Sequence, residues 1–223
     1  MKNTTIFVIA TLVALIVVTG ISGCKKEDDD TSKKAGVTPK IKTLSYYDPW
    51  SLATRTETYA YDAQGRVTTV TTSFSDGSSG SVVSYSYGTN YMTETRPGIG
   101  PKTYALNSDG YVSDYFLGTQ TYDADGHVTS DGTHTYTWAN GNLISSTNDP
   151  SGSLTFTYHT DKTNTIGNDN KGMSFFGKES KNLINTSTNG SGTVLVYSHE
   201  YDSQGRVTKE TGKYGYAYNY TYF

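Results

Sequence analysis

The stretch Tyr61-Asp62-Ala63-Gln64-Gly65-Arg66-Val67 carries the pattern that decides the fold. An aromatic residue precedes a turn that holds Asp or Asn. A Gly follows three positions after that residue, and a β-branched or Leu residue lies two positions beyond the Gly. The acid accepts hydrogen bonds from the turn backbone, and the Gly takes the positive φ that a type I turn with a bulge requires. The pattern predicts a β-hairpin. It recurs at Tyr122–Val128 and Tyr201–Val207, at Leu106–Val112 with Leu in place of the aromatic residue, and as a shortened copy at Trp138–Leu143.

Residues with period-two alternation flank these turns. Tyr59 and Tyr61 share one face, and so do Leu154, Phe156 and Tyr158. The repeat and the alternation predict an all-β fold, an antiparallel meander of hairpins that forms a strongly curved sheet or a barrel-like structure. The clearest alternation is at the C-terminus, where one face carries Tyr214, Tyr216, Tyr218, Tyr220 and Tyr222.

The composition limits the classes of function. The chain has 223 residues, 20 of them Tyr, and a formal net charge of −3. The acidic balance argues against a nucleic-acid binder, because phosphate recognition needs a basic surface. With few Leu, Ile, Val and Phe residues, tyrosine must supply much of the core. Cys24 is the single cysteine, so we expect no internal disulfide.

The first residues are typical of a bacterial lipoprotein. Ile6–Val18 is almost wholly apolar but short for a membrane span, and Ile21-Ser22-Gly23-Cys24 resembles the lipobox. The resemblance implies a signal peptide over 1–23 and diacylglycerol on Cys24, which would anchor the protein to a membrane. An acidic, flexible tether over 24–40 resembles the signal that sends Bacteroidetes lipoproteins to the cell surface. A single all-β domain follows over 41–223.

The hairpins resemble the YD repeats of large bacterial shell proteins and toxins. The chain also resembles a family of Bacteroides surface lipoproteins, a domain of unknown function with a porin-like fold. The matching residues are the lipobox with its acidic tail, the Trp138–Leu143 turn, Phe176–Leu183 and the terminal Tyr201–Val207 hairpin with its tyrosine strand. Ile184 replaces an expected Pro. The resemblance implies a fold and an outer-membrane, cell-surface address, and no activity.

A membrane-spanning pore is a weaker interpretation than a sheet or barrel in water. A spanning strand needs about 9–11 residues with an apolar outer band. Most predicted strands here are shorter, and their alternate positions are Thr, Ser, Asn and Lys. Thr160–Lys181 fits the repeat worst and is predicted to be a long loop with one short strand at most. Such loops often carry function.

No motif in the sequence points to catalysis. None of the four histidines, His127, His134, His159 and His199, has metal-ligand spacing to another. Asp123 and Asp125 flank a turn that recurs elsewhere without its second acid, so we interpret them as turn formers. We therefore predict a protein without catalytic residues, metal or cofactor. A glycosidase would need two carboxyl groups in one cleft.

The aromatic residues are the remaining candidates for binding. Their first interpretation is that they fill the inner side of a curved sheet. The alternative is a platform on which sugar rings stack. The weak ligand-binding candidates are Trp50, Trp138, Tyr216 and Tyr218. The sequence favours a non-enzymatic binding or structural module with a glycan or protein ligand. A surface glycan hydrolase and an accessory scaffold of an outer-membrane complex remain alternatives, and the oligomeric state stays open.

Overall fold

The computed structural model describes residues 38–115, 118–149, 152–212 and 215–223. The predicted signal peptide, Cys24, most of the tether and Tyr214 lie outside these ranges. The strands are β1 Ile41–Asp48, β2 Ala53–Tyr61, β3 Val67–Phe74, β4 Ser81–Tyr87, β5 Tyr91–Arg96, β6 Gly100–Ala105, β7 Asp114–Tyr115, β8 Gly118–Thr119, β9 Thr121–Tyr122, β10 Val128–Ser130, β11 Thr135–Ala139, β12 Asn142–Asp149, β13 Gly152–Thr163, β14 Asn182–Thr188, β15 Val194–Val196, β16 Ser198–Tyr201, β17 Val207–Thr211 and β18 Ala217–Tyr222.

The strands form an antiparallel meander, which confirms the predicted fold class. One sheet has nine strands in the order β16-β17-β18-β1-β2-β3-β4-β5-β6, and another has seven in the order β15-β14-β13-β12-β11-β10-β9. β7 pairs with β8 separately. Across the described ranges, neither large sheet closes on itself, so of the two predicted geometries the open one is present. No helix among these residues has the length and apolar character to cross a membrane.

The core consists of side chains from the alternating faces that the sequence predicts. Val67, Val112 and Val207, each two positions beyond a motif Gly, are fully buried. Tyr59, Met92, Tyr104 and Tyr220 join them, with Phe175 from the loop and Leu183 from the seven-stranded sheet. Along β18 the inward positions are Tyr218, Tyr220 and Tyr222. Tyrosine is therefore a core residue here, as its abundance predicts.

The motif turns have the predicted geometry. Asp62 Oδ1 accepts hydrogen bonds from the N–H groups of Gln64 and Arg66 at 3.0 and 2.9 Å. Gly65 has φ +75°, as the bulged turn requires. The same pair of bonds forms at Asn107, Asp123 and Asp202.

Two turns differ from the sequence-based interpretation. Asn189, which the sequence analysis did not include among the motif turns, accepts bonds from the Ser191 and Thr193 N–H groups and begins a further copy of the motif turn. The supposed shortened copy is a different turn. Asn140 and Gly141 have φ +53° and +75° between paired Ala139 and Asn142. Positive φ at both central residues is typical of a two-residue type I′ hairpin.

Aromatic side chains connect successive hairpins through a recurring contact, which we call the aromatic clip. The O–H of Tyr87 donates to the carbonyl of Val67 at 2.7 Å, and the ring lies 4.2 Å from the Arg66 guanidinium. Arg66 and Val67, which lie one and two positions beyond the motif Gly, thus both contact Tyr87. Equivalent donors bind at 2.6–2.8 Å in the pairs Tyr61–Ile41, Tyr122–Val112, Trp138–Val128, Tyr158–Leu143 and Tyr222–Val207.

The 164–181 segment completes the same end of the domain. β13 extends through Thr163, and beyond it the segment contains a short 3₁₀ helix over Ser174–Phe176. Backbone carbonyls of this segment accept hydrogen bonds from the N–H groups of buried core residues: Asn170 from Ile41, Gly172 from Val67 and Phe175 from Val112, at 3.0, 3.0 and 2.9 Å. The segment is thus a loop, as predicted, and it bonds to the hairpins one after another.

Candidate functional site

The domain has two distinct ends. The motif end holds the turns at 62–66, 107–111, 123–127 and 202–206, together with the 164–181 segment. Because the hairpins are antiparallel, the connections at 49–52, 75–80 and 97–99 lie at the opposite end, which we call the tip end. The sequence-predicted candidate Trp50 lies at the tip end.

Trp50 is held in an exposed turn between β1 and β2. Asp48 Oδ1 accepts a hydrogen bond from the Trp50 N–H at 2.9 Å, and Leu52 has φ +56°. The Trp50 side chain is 94% exposed. Because almost the whole indole is exposed to solvent, Trp50 is not a core residue.

The pairing of β1 with β18 places two more predicted candidates, Tyr218 and Tyr216, near Trp50. β1 pairs with β18 so that Tyr46 lies opposite Tyr218, and their rings are 5.2 Å apart. Tyr216 precedes β18 and is 40% exposed. The resulting cleft, the Trp50 cleft, has a volume of about 330 Å³ and is lined by Tyr46, Tyr47, Asp48, Pro49, Trp50, Arg55, Tyr216 and Tyr218.

Polar groups accompany the rings of the Trp50 cleft. The Arg55 guanidinium lies 5.8 Å from the centre of the Tyr46 ring and binds Glu57 at 2.8 Å. Burial raises the pKa of Tyr46, while the Arg55 charge opposes that rise. Within the part of the chain that the structure describes, Arg55 Nε and Ser51 Oγ are buried without a hydrogen-bond partner. The cleft therefore combines stacking surfaces with the charged side chains of Asp48 and Arg55.

Trp138 is not part of this cleft. Its ring stacks on His127 with centroids 4.4 Å apart, and its Nε1–H donates to the Val128 carbonyl at 2.7 Å. It is an aromatic clip of the motif end. Tyr47 and Arg55 are cleft residues that the sequence analysis missed. The signal for Tyr47 was available in the aromatic run Tyr46-Tyr47-Asp48-Pro49-Trp50 before a turn.

Three of the four histidines pair with carboxylates. His127 Nδ1 lies 3.0 Å from Asp123, His134 Nδ1 lies 3.0 Å from Asp131, and His199 Nε2 lies 3.1 Å from Glu210. The rings of His159 and His199 are 5.9 Å apart, a contact between distant strands that residue spacing did not predict.

The pair of His127 and Asp123 lies beside a third possible metal ligand, Asp125. Ligand atoms of Asp123, Asp125 and His127 lie within 4.8 Å of one another. The Asp123 carboxylate, however, already accepts the two backbone bonds of the turn and the His127 ring. Arg66 and Arg206 occupy the His127 position in other copies and bind their Asp in the same way. The hydrogen bonds of the turn therefore explain why Asp123, Asp125 and His127 lie close together.

The comparison with solved structures agrees with the observed architecture. The chain is similar to a porin-like protein from Bacteroides uniformis, with a TM-score of 0.60 and 19% sequence identity. The match covers 84% of this chain and 98% of that protein. No family model matches the chain, and no curated protein sequence is similar to it. An all-β, antiparallel, porin-like fold is thus common to the two proteins.

Proposed function

We propose that this chain is a lipid-anchored surface protein whose β-domain is a non-enzymatic binding module, with a glycan as its ligand at the Trp50 cleft. The observation that carries the proposal is the 94% exposed Trp50 beside Tyr47, which is 50% exposed. Aromatic rings stack on the apolar faces of sugars, and nearby polar groups bind the hydroxyls. Asp48 and Arg55 supply such groups in the same cleft. A protein ligand is the alternative occupant.

The proposed address rests on the sequence. The lipobox at Cys24 and the acidic residues that follow it support anchoring in the outer membrane, facing outward. The Bacteroides source of the similar porin-like protein agrees with the proposed family resemblance. Cys24→Ala should abolish labelling by a fatty-acid probe and release the protein from the membrane fraction. Protease treatment of intact cells should degrade the wild-type protein; protection would contradict the surface location.

A hydrolase receives less support than a binding module. Glu179 and Glu210 line one cleft, and burial raises the pKa of Glu179. A glycosidase needs one carboxyl as acid and the other as nucleophile or base. Glu210 is instead bound to His199 at 3.1 Å. Release of reducing sugar from a bound glycan, lost in Glu210→Gln, would favour hydrolysis over the proposed role.

The binding proposal is tested with the intact purified protein on a glycan array, followed by titration of each positive glycan. We expect Trp50→Ala to abolish binding. Tyr91→Ala is the matched control, because Tyr91 is an exposed aromatic outside the Trp50 cleft, 48% accessible. Absence of any glycan binding, or equal binding by Trp50→Ala, would contradict the glycan proposal.

A further inference from the structure

A second cleft lies where the two large sheets and the 164–181 segment meet. Trp138, Phe156 and Tyr158 line it from the seven-stranded sheet, and Tyr220 from the nine-stranded sheet. Glu179 and Lys171 of the 164–181 segment complete it. Its volume is about 350 Å³, which is within the usual range of small-molecule sites, about 300–1,000 Å³. We call it the Glu179 cleft.

Glu179 is the central charged group of this region. It lines the Glu179 cleft and two adjoining cavities of about 360 and 400 Å³. The residue as a whole is exposed. Burial raises its pKa, the Lys171 charge opposes the rise, and Asp169 and Glu210 add to it. No hydrogen bond from a described residue contributes to that balance. The carboxylate thus faces open space without a donor.

Lys171 is the oppositely charged residue of the same cleft. It acts on Glu179 electrostatically and lines the Glu179 cleft. The ion pairs between described residues include none between these two. By contrast, Glu210 in the cleft is bound to His199. Neither charge has a bonded counter-ion among the described residues, so an opposite charge that a ligand brings into the cleft would be attracted to it. A ligand with both charges would satisfy Glu179 and Lys171 together.

We propose that the Glu179 cleft binds a small zwitterion, an α-amino acid with an apolar or aromatic side chain. The ligand ammonium binds the Glu179 carboxylate, and the ligand carboxylate binds the Lys171 ammonium. The side chain lies against the aromatic walls formed by Trp138 and Phe156. This site is separate from the Trp50 cleft, and its test does not depend on glycan binding.

The charges of the cleft favour a ligand that carries both signs. A divalent cation would be attracted by Glu179 and Glu210 but repelled by Lys171, and an anion would be attracted by Lys171 but repelled by both acids. A neutral sugar would leave both charges without a counterpart. The glycine at position 167 provides the space beside the acid: a Cβ there would lie 3.2 Å from Glu179 Oε2.

The test is calorimetric titration of the intact protein with L-phenylalanine. We expect binding with one-to-one stoichiometry. Phenethylamine lacks the carboxylate and 3-phenylpropionate lacks the ammonium, so each should bind about tenfold more weakly or worse, the value of one charged hydrogen bond. Equal binding of either analogue would overturn the zwitterion assignment. Absence of binding by L-phenylalanine would overturn the site.

Variants then locate the ligand. Glu179→Gln keeps the size of the side chain and should weaken L-phenylalanine binding by about tenfold or more, as should Lys171→Gln. Glu200→Gln is the matched control, since Glu200 is an exposed acid bound to Lys209 outside the cleft. Undiminished binding by Glu179→Gln would overturn the proposal. If Glu179→Gln fails to fold, Gly167→Ala crowds the same carboxylate and should also weaken binding. Trp50→Ala should bind L-phenylalanine normally; loss of binding there would place the ligand in the other cleft.

Discussion

The motif end and the tip end of the domain use the same kinds of aromatic side chain in opposite ways. At the motif end, the polar atom of Tyr87 or Tyr222 donates to a backbone carbonyl of the preceding hairpin, and an Arg lies on the ring. At the tip end, Trp50 and Tyr47 project into solvent.

This difference shows when an aromatic residue serves a structural role. A motif turn leaves the carbonyl of the residue two beyond its Gly in need of a donor, and a ring from the next hairpin supplies it. The connection at 49–52 belongs to no such motif, and its backbone is held by Asp48 instead. The rings there remain available for a ligand. The following four experiments test this contrast.

High pH should produce the largest effect. Burial raises the pKa of Tyr122 and Tyr115 to about 12, whereas the pKa of a tyrosine in the unfolded chain is about 10. The folded protein therefore binds these protons more tightly than the unfolded chain. Their stabilisation is complete below pH ~10 and is lost as the pH rises from there through about 12. We expect cooperative unfolding in that window, with tyrosinate absorbance and circular dichroism changing together. Tyrosine ionisation that runs to completion with the secondary structure intact would contradict the clip model.

Phe175→Ala tests the 164–181 segment. Phe175 is only 5% exposed and packs in the core beside Tyr85 and Tyr87. Its removal should lower the free energy of unfolding by about 3–5 kcal/mol, through lost burial and the cavity that remains. Chemical denaturation measures the change. Ile99→Ala at the tip end, where Ile99 is 78% exposed, should stay within about 0.5 kcal/mol. Similar values for both would show that the segment does not stabilise the core.

Tyr87→Phe tests a single aromatic clip. The change removes only the O–H that binds the Val67 carbonyl at 2.7 Å and leaves a buried acceptor without a partner. We expect a loss of about 1–2 kcal/mol in denaturation. Tyr47→Phe at the tip end is the matched control, because Tyr47 is 50% exposed and should change stability by less than about 0.5 kcal/mol. Equal losses would mean that the two ends do not differ.

Trp50→Ala should have the smallest effect on stability. A residue that is 94% exposed contributes little to the core, so the free energy of unfolding should change by less than about 0.5 kcal/mol. Thermal or chemical denaturation of the variant measures this directly. A loss as large as that of Phe175→Ala would show that Trp50 is structural, and the proposed ligand site would lose its main support.

Much of the fold was predictable because its determinants are local. The Asp62 turn closes through bonds to residues two and four positions away, and Gly65 needs only its own backbone freedom. Alternation placed Val67 and Tyr220 on the inward face, where both are buried. The missed copy at Asn189 obeys the same local rule and keeps Gly192 and Val194 at the motif spacing; it lacks only the aromatic residue before the turn, where Thr188 lies.

The candidate sites depend on contacts that are distant in the chain. Trp138 and Trp50 are the same residue type, yet one meets the Val128 carbonyl and the other meets solvent. Tyr218 reaches the Trp50 cleft only because β18 pairs with β1, at the other end of the domain's sequence. The Glu179 cleft assembles from two sheets and a loop, so no spacing in the sequence marks it.

The sequence by itself determined the hairpins, their turns and the inward face of each strand, because these follow from hydrogen bonds and side-chain direction within a few residues. It also carries the predicted lipobox. Only the tertiary structure decided that the 164–181 segment bonds to successive hairpins and which aromatic rings stay exposed. An aromatic ring stays buried where a neighbouring hairpin supplies a carbonyl partner for it. The pairing of β1 with β18 and the packing of Phe175 on Tyr87 join residues that no local pattern relates.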